Sequence, residues 1–103
     1  MKNSSQNHVN IVGVDRQSHK VVAFGSLIVC NSTQGLVGKI ENIVTSKSVR
    51  GKGLGRCIIE LLQGEAFKLD CDKVSLFCEQ KNVKFYNKLG FAEEGEIFAW
   101  YRK

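Results

Sequence analysis

Residues 49–56 read "VRGKGLGR", which places three glycines in five positions directly before a helical pattern. From Leu54 onward the apolar residues recur at helical spacing: Leu54, Ile58, Leu61, Leu62, Ala66 and Leu69 form one stripe, and Glu60 and Glu65 fall off it. Gly64 inside this run costs about 1 kcal/mol relative to Ala, so packing has to hold the helix. The amino end of a helix presents unpaired backbone N–H groups and a partial positive charge, a ready site for phosphate. Glycines let those amides approach an anion with no Cβ in the way. Gly51, Gly53 and Gly55 are therefore expected to cradle a phosphate, with Arg50, Lys52 and Arg56 adding positive charge. The G-x-x-x-x-G-K-[ST] pattern of nucleotide-binding loops is absent, and G-x-G-x-G is not the dinucleotide fingerprint. A plain flexible loop is the competing reading.

Working outward, "NIVGVD" (10–15) and "KVVAFGSLIVC" (20–30) are β-rich runs separated by the hairpin-like "RQSH". "LVGKIENIVTS" (36–46) is a third strand whose apolar positions change phase at Glu41 and Asn42, the mark of a bulge. After the helix, "KVSLFC" (73–78) reads as a fourth strand and "NVKFYNKLG" (82–90) as a short helix. Asn82 stands where an N-cap would, and Gly90 where a helix stops. The last strand lies in "FAEEGEIFAWYRK" (91–103). Its Ile97 to Tyr101 are apolar or aromatic on both faces, so both faces are expected to need cover. The order is β-β-β-α-β-α-β in a single domain, 1–103, with the polar residues 1–8 expected to be mobile.

Composition bounds the function. Hydrophobic residues make up 43% of the 103 and charged residues 24%, as in ordinary globular domains. The formal charge of +5 favours an anionic partner, although the basic residues are spread rather than blocked. No aromatic-basic strand motif points to nucleic acid. No apolar run is long enough to span a membrane, and "MKNSSQNHVN" lacks a signal-peptide core, so a soluble cytoplasmic protein is expected. Cys30, Cys57, Cys71 and Cys78 form no C-x-x-C pair and have no histidine at metal spacing, so free thiols and no metal are expected.

"RGKGLG" (50–55) resembles the Q/R-x-x-G-x-G/A signature of the GCN5-related N-acetyltransferase superfamily. Together with "KIENIV" (39–44), "NVKFYNKLGF" (82–91) and the terminal "RK", it is closest to the glucosamine 6-phosphate N-acetyltransferases. The likeness covers roughly residues 9–103, with the motifs in the same order. It implies an α/β acetyltransferase fold with a mixed, mostly antiparallel sheet and helices packed on it. That family begins with a strand and two helices, for which this chain has no room before "NIVGVD". It also carries an acidic residue in place of Asn42, and another in place of Phe77.

The resemblance implies a role for each residue of the site. The glycine loop, Arg50, Gly51, Lys52, Gly53, Leu54 and Gly55, would hold the pyrophosphate of acetyl-CoA. Backbone groups of Ile43 and Val44 would pair with its pantetheine arm, and Asn82 would contact the cofactor. Tyr86 would donate a proton or hydrogen bond at the sulfur, its alternative being a core aromatic. Amide acetylation needs a neutral amine and a proton for the departing thiolate. Glu41 is the candidate base, through water, or else a surface strand charge. Glu41, Asn42, Cys71, Asp72 and Arg102 would meet the acceptor, Arg102 from the partner of a homodimer.

The implied reaction is acetyl transfer from acetyl-CoA to the amine of glucosamine 6-phosphate, a step toward the activated amino sugar. Acetylation of another small amine and a CoA-binding remnant without turnover are the alternatives.

Overall fold

Alternation of apolar and polar residues makes the first half of the chain a meander. In the computed structural model, which describes residues 7–33, 35–49, 51, 53–94 and 97–101, β1 (Asn7–Val14), β2 (Val21–Ser32) and β3 (Gly35–Thr45) are antiparallel neighbours. β1 starts at Asn7, so His8 lies in a strand rather than ahead of it. The β1–β2 turn closes at Asp15, whose side chain accepts from Ser18 N at 2.9 Å and whose backbone N–H donates to Lys20 O.

Beyond a 3₁₀ turn at Lys47–Val49 come α1 (Leu54–Lys68), β4 (Lys73–Leu76) and α2 (Val83–Lys88), then β5 (Ala92–Glu94) and β6 (Ile97–Tyr101). The sheet order is β1-β2-β3-β4-β6-β5, and among the described strands only β3 and β4 pair in parallel. The mixed, mostly antiparallel sheet is the expected one. The extra strand β5 is not, because its three residues are all exposed and show no apolar alternation. Its charged Glu93 and Glu94 suit an edge strand, where charge discourages pairing with another chain.

α1 rests on β1, β2 and β3. Its buried face is Ile58, Ile59, Leu62, Gln63 and Ala66, which rotates the stripe read from the sequence and leaves Leu61 51% exposed. Gly25 makes the close approach possible: a Cβ there would lie 2.5 Å from Ile58 Cγ2 and 2.7 Å from Ile43 Cδ1. The buried Gln63 is satisfied by donating from Nε2 to Leu89 O at 3.2 Å, which ties α1 to the end of α2.

β6 needs less outside cover than its composition suggested. It lies between β4 and β5, and Phe98 and Ala99 are buried by the chain itself; Ile97 and Trp100 are half-buried. The part of that sheet face left open is a groove of about 410 Å³, with Val37, Lys39, Phe77 and Ile97 in its lining.

β3 is irregular at its centre and loosely held on one side. Opposite Gly25 the ladder carries two residues, Asn42 and Ile43, since Ser26 pairs with Glu41 and Phe24 with Val44. Asn42 takes a left-handed φ of 59° there. This is the bulge expected at 41–42. β3 also pairs with β4 at only three positions, Val37–Lys73, Gly38–Val74 and Lys39–Ser75.

Candidate functional site

Past Lys39 and Ser75 the two parallel strands part, and β3 runs on to Thr45 with β2 as its ladder partner. A strand edge left in this way offers N–H and C=O groups to a ligand. The fork is filled by a cavity of about 480 Å³ between the bulge of β3 and the segment Phe77–Glu79 that follows β4. Glu41, Asn42 and Ile43 line it from one arm, and Phe77, Cys78 and Glu79 from the other, with Asn82 and Tyr86 of the α2 region behind. Among the described residues Glu41 and Glu79 are the charged ones in its lining, so it is an anionic cavity on a chain of net charge +5.

A second cavity, of about 530 Å³, shares Ile43, Asn82 and Tyr86 with the first and opens onto the amino end of α1. Gly53 forms the N-cap with φ 77° and ψ 10°, and no side-chain bond caps the helix. Gly51 is also left-handed, at φ 85°. A Cβ at either glycine would meet no atom within 4 Å, so the requirement here is conformational rather than steric. The first turn of α1 holds no acidic residue, and among the described residues Arg56, whose Nε–H donates to Glu60 one turn on at 3.3 Å, is the charged one in the lining. An uncapped helix end beside a guanidinium selects an anion.

Tyr86 stands where the two cavities meet. Its ring packs edge-on against Phe85, with centroids 5.0 Å apart. Burial, and secondarily the nearby Cys78, pushes the Tyr86 phenol above its ordinary 10.0, so at neutral pH it keeps its proton and can donate it. Burial, and then the charge of Glu93, raises the Cys78 thiol as well. Asn82 occupies the N-cap position of α2, yet its side chain makes no capping bond. Gly90 ends that helix in the left-handed region at φ 94°, as its position suggested.

The structure thus gathers most of the expected residues. Glu41, Asn42, Ile43, Gly51, Gly53, Leu54, Gly55, Asn82 and Tyr86 all line one cavity or both. Val44 follows Ile43 in β3 with its side chain exposed and outside both cavities. Arg50, Lys52 and Arg102 lie outside the described residues.

Cys71 and Asp72 lie apart from this group. Cys71 is 1% exposed and part of the core, and Asp72 bonds across to β3, accepting from Leu36 N at 3.3 Å and donating its own N–H to Leu36 O at 2.8 Å. β4 runs parallel to β3, so its start lies beside the start of β3, whereas the fork opens at the carboxy ends of both. Neither residue lines the two cavities. Thr45, Cys78 and Glu79 line the site although no sequence motif marks them, and Phe85 lines it from within "NVKFYNKLGF" with no role implied for it by the resemblance. For Glu79 the signal would have been a carboxylate two positions after Phe77, in a loop that carries no periodicity to flag it.

Among the described residues no helix is long and apolar enough to cross a membrane. The model of the Acetyltransferase (GNAT) family matches residues 2–91. Glucosamine 6-phosphate N-acetyltransferase 1 of Dictyostelium discoideum is 40% identical over 104 residues, covering 98% of this chain and 66% of its own length. The Arabidopsis thaliana glucosamine 6-phosphate N-acetyltransferase is 31% identical over 97 residues, covering 91% of this chain and 65% of its own. The crystal structure of glucosamine-6-phosphate N-acetyltransferase from Arabidopsis thaliana superposes with a TM-score of 0.83 at 33% identity, over 85% of this chain and 62% of that one. The chain therefore spans just under two thirds of the length of these relatives.

Proposed function

Since the chain belongs to the acetyltransferase (GNAT) family, we propose that it transfers an acetyl group from acetyl-CoA to the amine of glucosamine 6-phosphate. The observation that carries this reading is the junction at Tyr86. On one side lies a glycine-bounded helix end with Arg56, which fits a pyrophosphate; on the other lies a cavity lined by Glu41 and Glu79, which fits an amine.

When bound, acetyl-CoA supplies a thioester carbonyl as the acyl donor. The amides of Gly53, Leu54 and Gly55 and the Arg56 guanidinium take the phosphate charge; Arg50 and Lys52 have the same task in this reading. Backbone groups of Ile43 and Val44, on the unpaired edge of β3, hold the amide-bearing arm. Asn82, its side chain free of capping, contacts the same ligand. Glu41, with Asn42 beside it at the bulge, receives the amine proton through water. Tyr86, kept protonated by burial, donates to the departing thiolate.

The acceptor's phosphate would be met by Arg102 of a second copy in a homodimer, with the 410 Å³ groove beside β6 as the surface that copy covers. Four cysteines with no disulfide between them suit a reducing compartment, and the reading places the reaction in the cytoplasm. One observation favours a different acceptor, a small amine without phosphate: among the described residues no cation lines the 480 Å³ cavity, and Phe77 stands 77% exposed at its mouth. The test is CoA release measured across a panel of amines with and without a phosphate. Release with glucosamine 6-phosphate alone supports the first reading, and release with none removes acetyl transfer altogether.

A further inference from the structure

Glu41 and Glu79 reach the fork from opposite arms, one on the bulge of β3 and the other on the loop after β4. The backbone of Glu79 is fixed. It is extended, at φ −76° and ψ 154°, and its carbonyl accepts from Asn82 N at 2.8 Å to close the 3₁₀ turn Gln80–Asn82. Its side chain, by contrast, makes no capping bond and meets Lys81 at 3.7 Å, with both groups about three-quarters exposed. An ion pair this exposed contributes little and is readily exchanged for another cation. The remaining polar groups of the cavity, on Asn42, Asn82 and Tyr86, are neutral.

We infer that Glu79 is the acceptor-recruiting residue of this site: its carboxylate draws the acceptor in as an ammonium ion and so selects cationic amines over neutral nucleophiles. This rests on the acetyl-transfer reading and adds a division of labour to it. The amine loses a proton before it attacks and regains positive charge on nitrogen as the C–N bond forms. A carboxylate beside it therefore stabilises the bound ammonium and the transition state alike, raising affinity without altering kcat. Glu41 then handles the proton, and Glu79 governs occupancy. Among the described residues Arg56 is the charged one lining the neighbouring cavity, and it pairs with Glu60 at 3.3 Å. The amino end of α1 beside it nonetheless suits a phosphate and not an ammonium, so the two substrates sort themselves by charge on either side of Tyr86.

The experiment is steady-state kinetics of the full chain with both substrates varied, for the wild type, Glu79→Gln, Glu79→Asp and Lys81→Gln. Glucosamine 6-phosphate and a phosphate-free amine serve as acceptors. Glu79→Gln should raise the acceptor KM about fivefold, equivalent to ~1 kcal/mol, with kcat and the KM for acetyl-CoA unchanged. Glu79→Asp should recover part of the loss, and high salt should narrow the gap between wild type and Glu79→Gln. Lys81→Gln, which frees the carboxylate, should lower the acceptor KM, a readout that does not depend on Glu79→Gln folding. An unchanged acceptor KM in Glu79→Gln, or a parallel rise in the KM for acetyl-CoA, overturns the role of Glu79 while leaving acetyl transfer intact. A wild type that acetylates no amine overturns both.

Discussion

Tyr86 meets Phe91 edge-on, with ring centroids 5.9 Å apart and planes at 80°. Phe91 is among the most deeply buried side chains of the chain, so the core sets the direction in which the Tyr86 hydroxyl points. An aromatic pair of this kind depends on the rings and not on the phenol oxygen. Tyr86→Phe should therefore melt close to the wild type while its kcat falls about a hundredfold, the low end for loss of a general acid. Acetyl-CoA affinity, read by calorimetry, should hardly change. An unchanged kcat would take Tyr86 out of the proton path and leave it a packing residue.

Gly53 is the residue to test at the anion site. A side chain there has open space but must adopt φ 77°, at a cost of about 1–2 kcal/mol. Gly53→Val should lower the melting temperature and also shrink the upward shift that saturating acetyl-CoA produces. For the wild type, ligand at a hundred times its dissociation constant adds about 2.7 kcal/mol. If Gly53→Val keeps the whole shift, the turn does not hold the phosphate.

Gly64 offers the opposite outcome. It lies exposed inside α1, and a Cβ there would meet nothing within 4 Å. Gly64→Ala should stabilise the fold by about 1 kcal/mol and raise the melting temperature by about 4–8 °C, with activity unchanged. At Gly25 the same substitution forces Ile58 and Ile43 aside and should cost about 1–3 kcal/mol. Thermal melts of the two variants side by side separate a helix-propensity effect from a packing one.

Acid stability should carry the signature of Glu94. Its carboxylate accepts from Lys73 Nζ at 2.6 Å and from the Tyr101 hydroxyl, and these bonds, that from Lys73 first, hold it below its ordinary 4.5. A lowered folded value means that the unfolded chain takes up this proton first as the pH drops. The contribution is whole above about 4.5 and is lost as the pH falls through the folded value. In melts titrated downward from neutrality, Glu94→Gln should show a shallower acid decline than the wild type. Equal slopes would mean that the pair contributes nothing to the fold.

What could be read from the chain depends on the reach of each signal. The bulge at Asn42 and the left-handed turn before α1 are local events, written in a change of apolar phase and in glycine spacing. The position of Cys71 and Asp72 depends on β4 lying parallel to β3, a pairing direction that no local pattern contains. Leu61 belongs to the buried stripe by its apolar character alone. The helix is in fact rotated toward Ile59 and Gln63, where Gln63 has a carbonyl to bond. β5 escapes a sequence reading because strand pattern needs a buried face, and all three of its residues face solvent. Glu79 escapes for a related reason, since a loop residue has no period to betray the cavity beside it.

The three pairs between β3 and β4 make the sheet two leaves on a narrow spine. One leaf is β1-β2-β3 backed by α1, the other is β4-β6-β5, and Gln63–Leu89 is a stitch between α1 and the end of α2. A linear ligand laid along the free edge of β3 lengthens that spine, because its amides take the places a longer β4 would have filled. The reactant then serves as mortar, and the amide protons of Asn42 to Thr45 should exchange with solvent more slowly when acetyl-CoA is present.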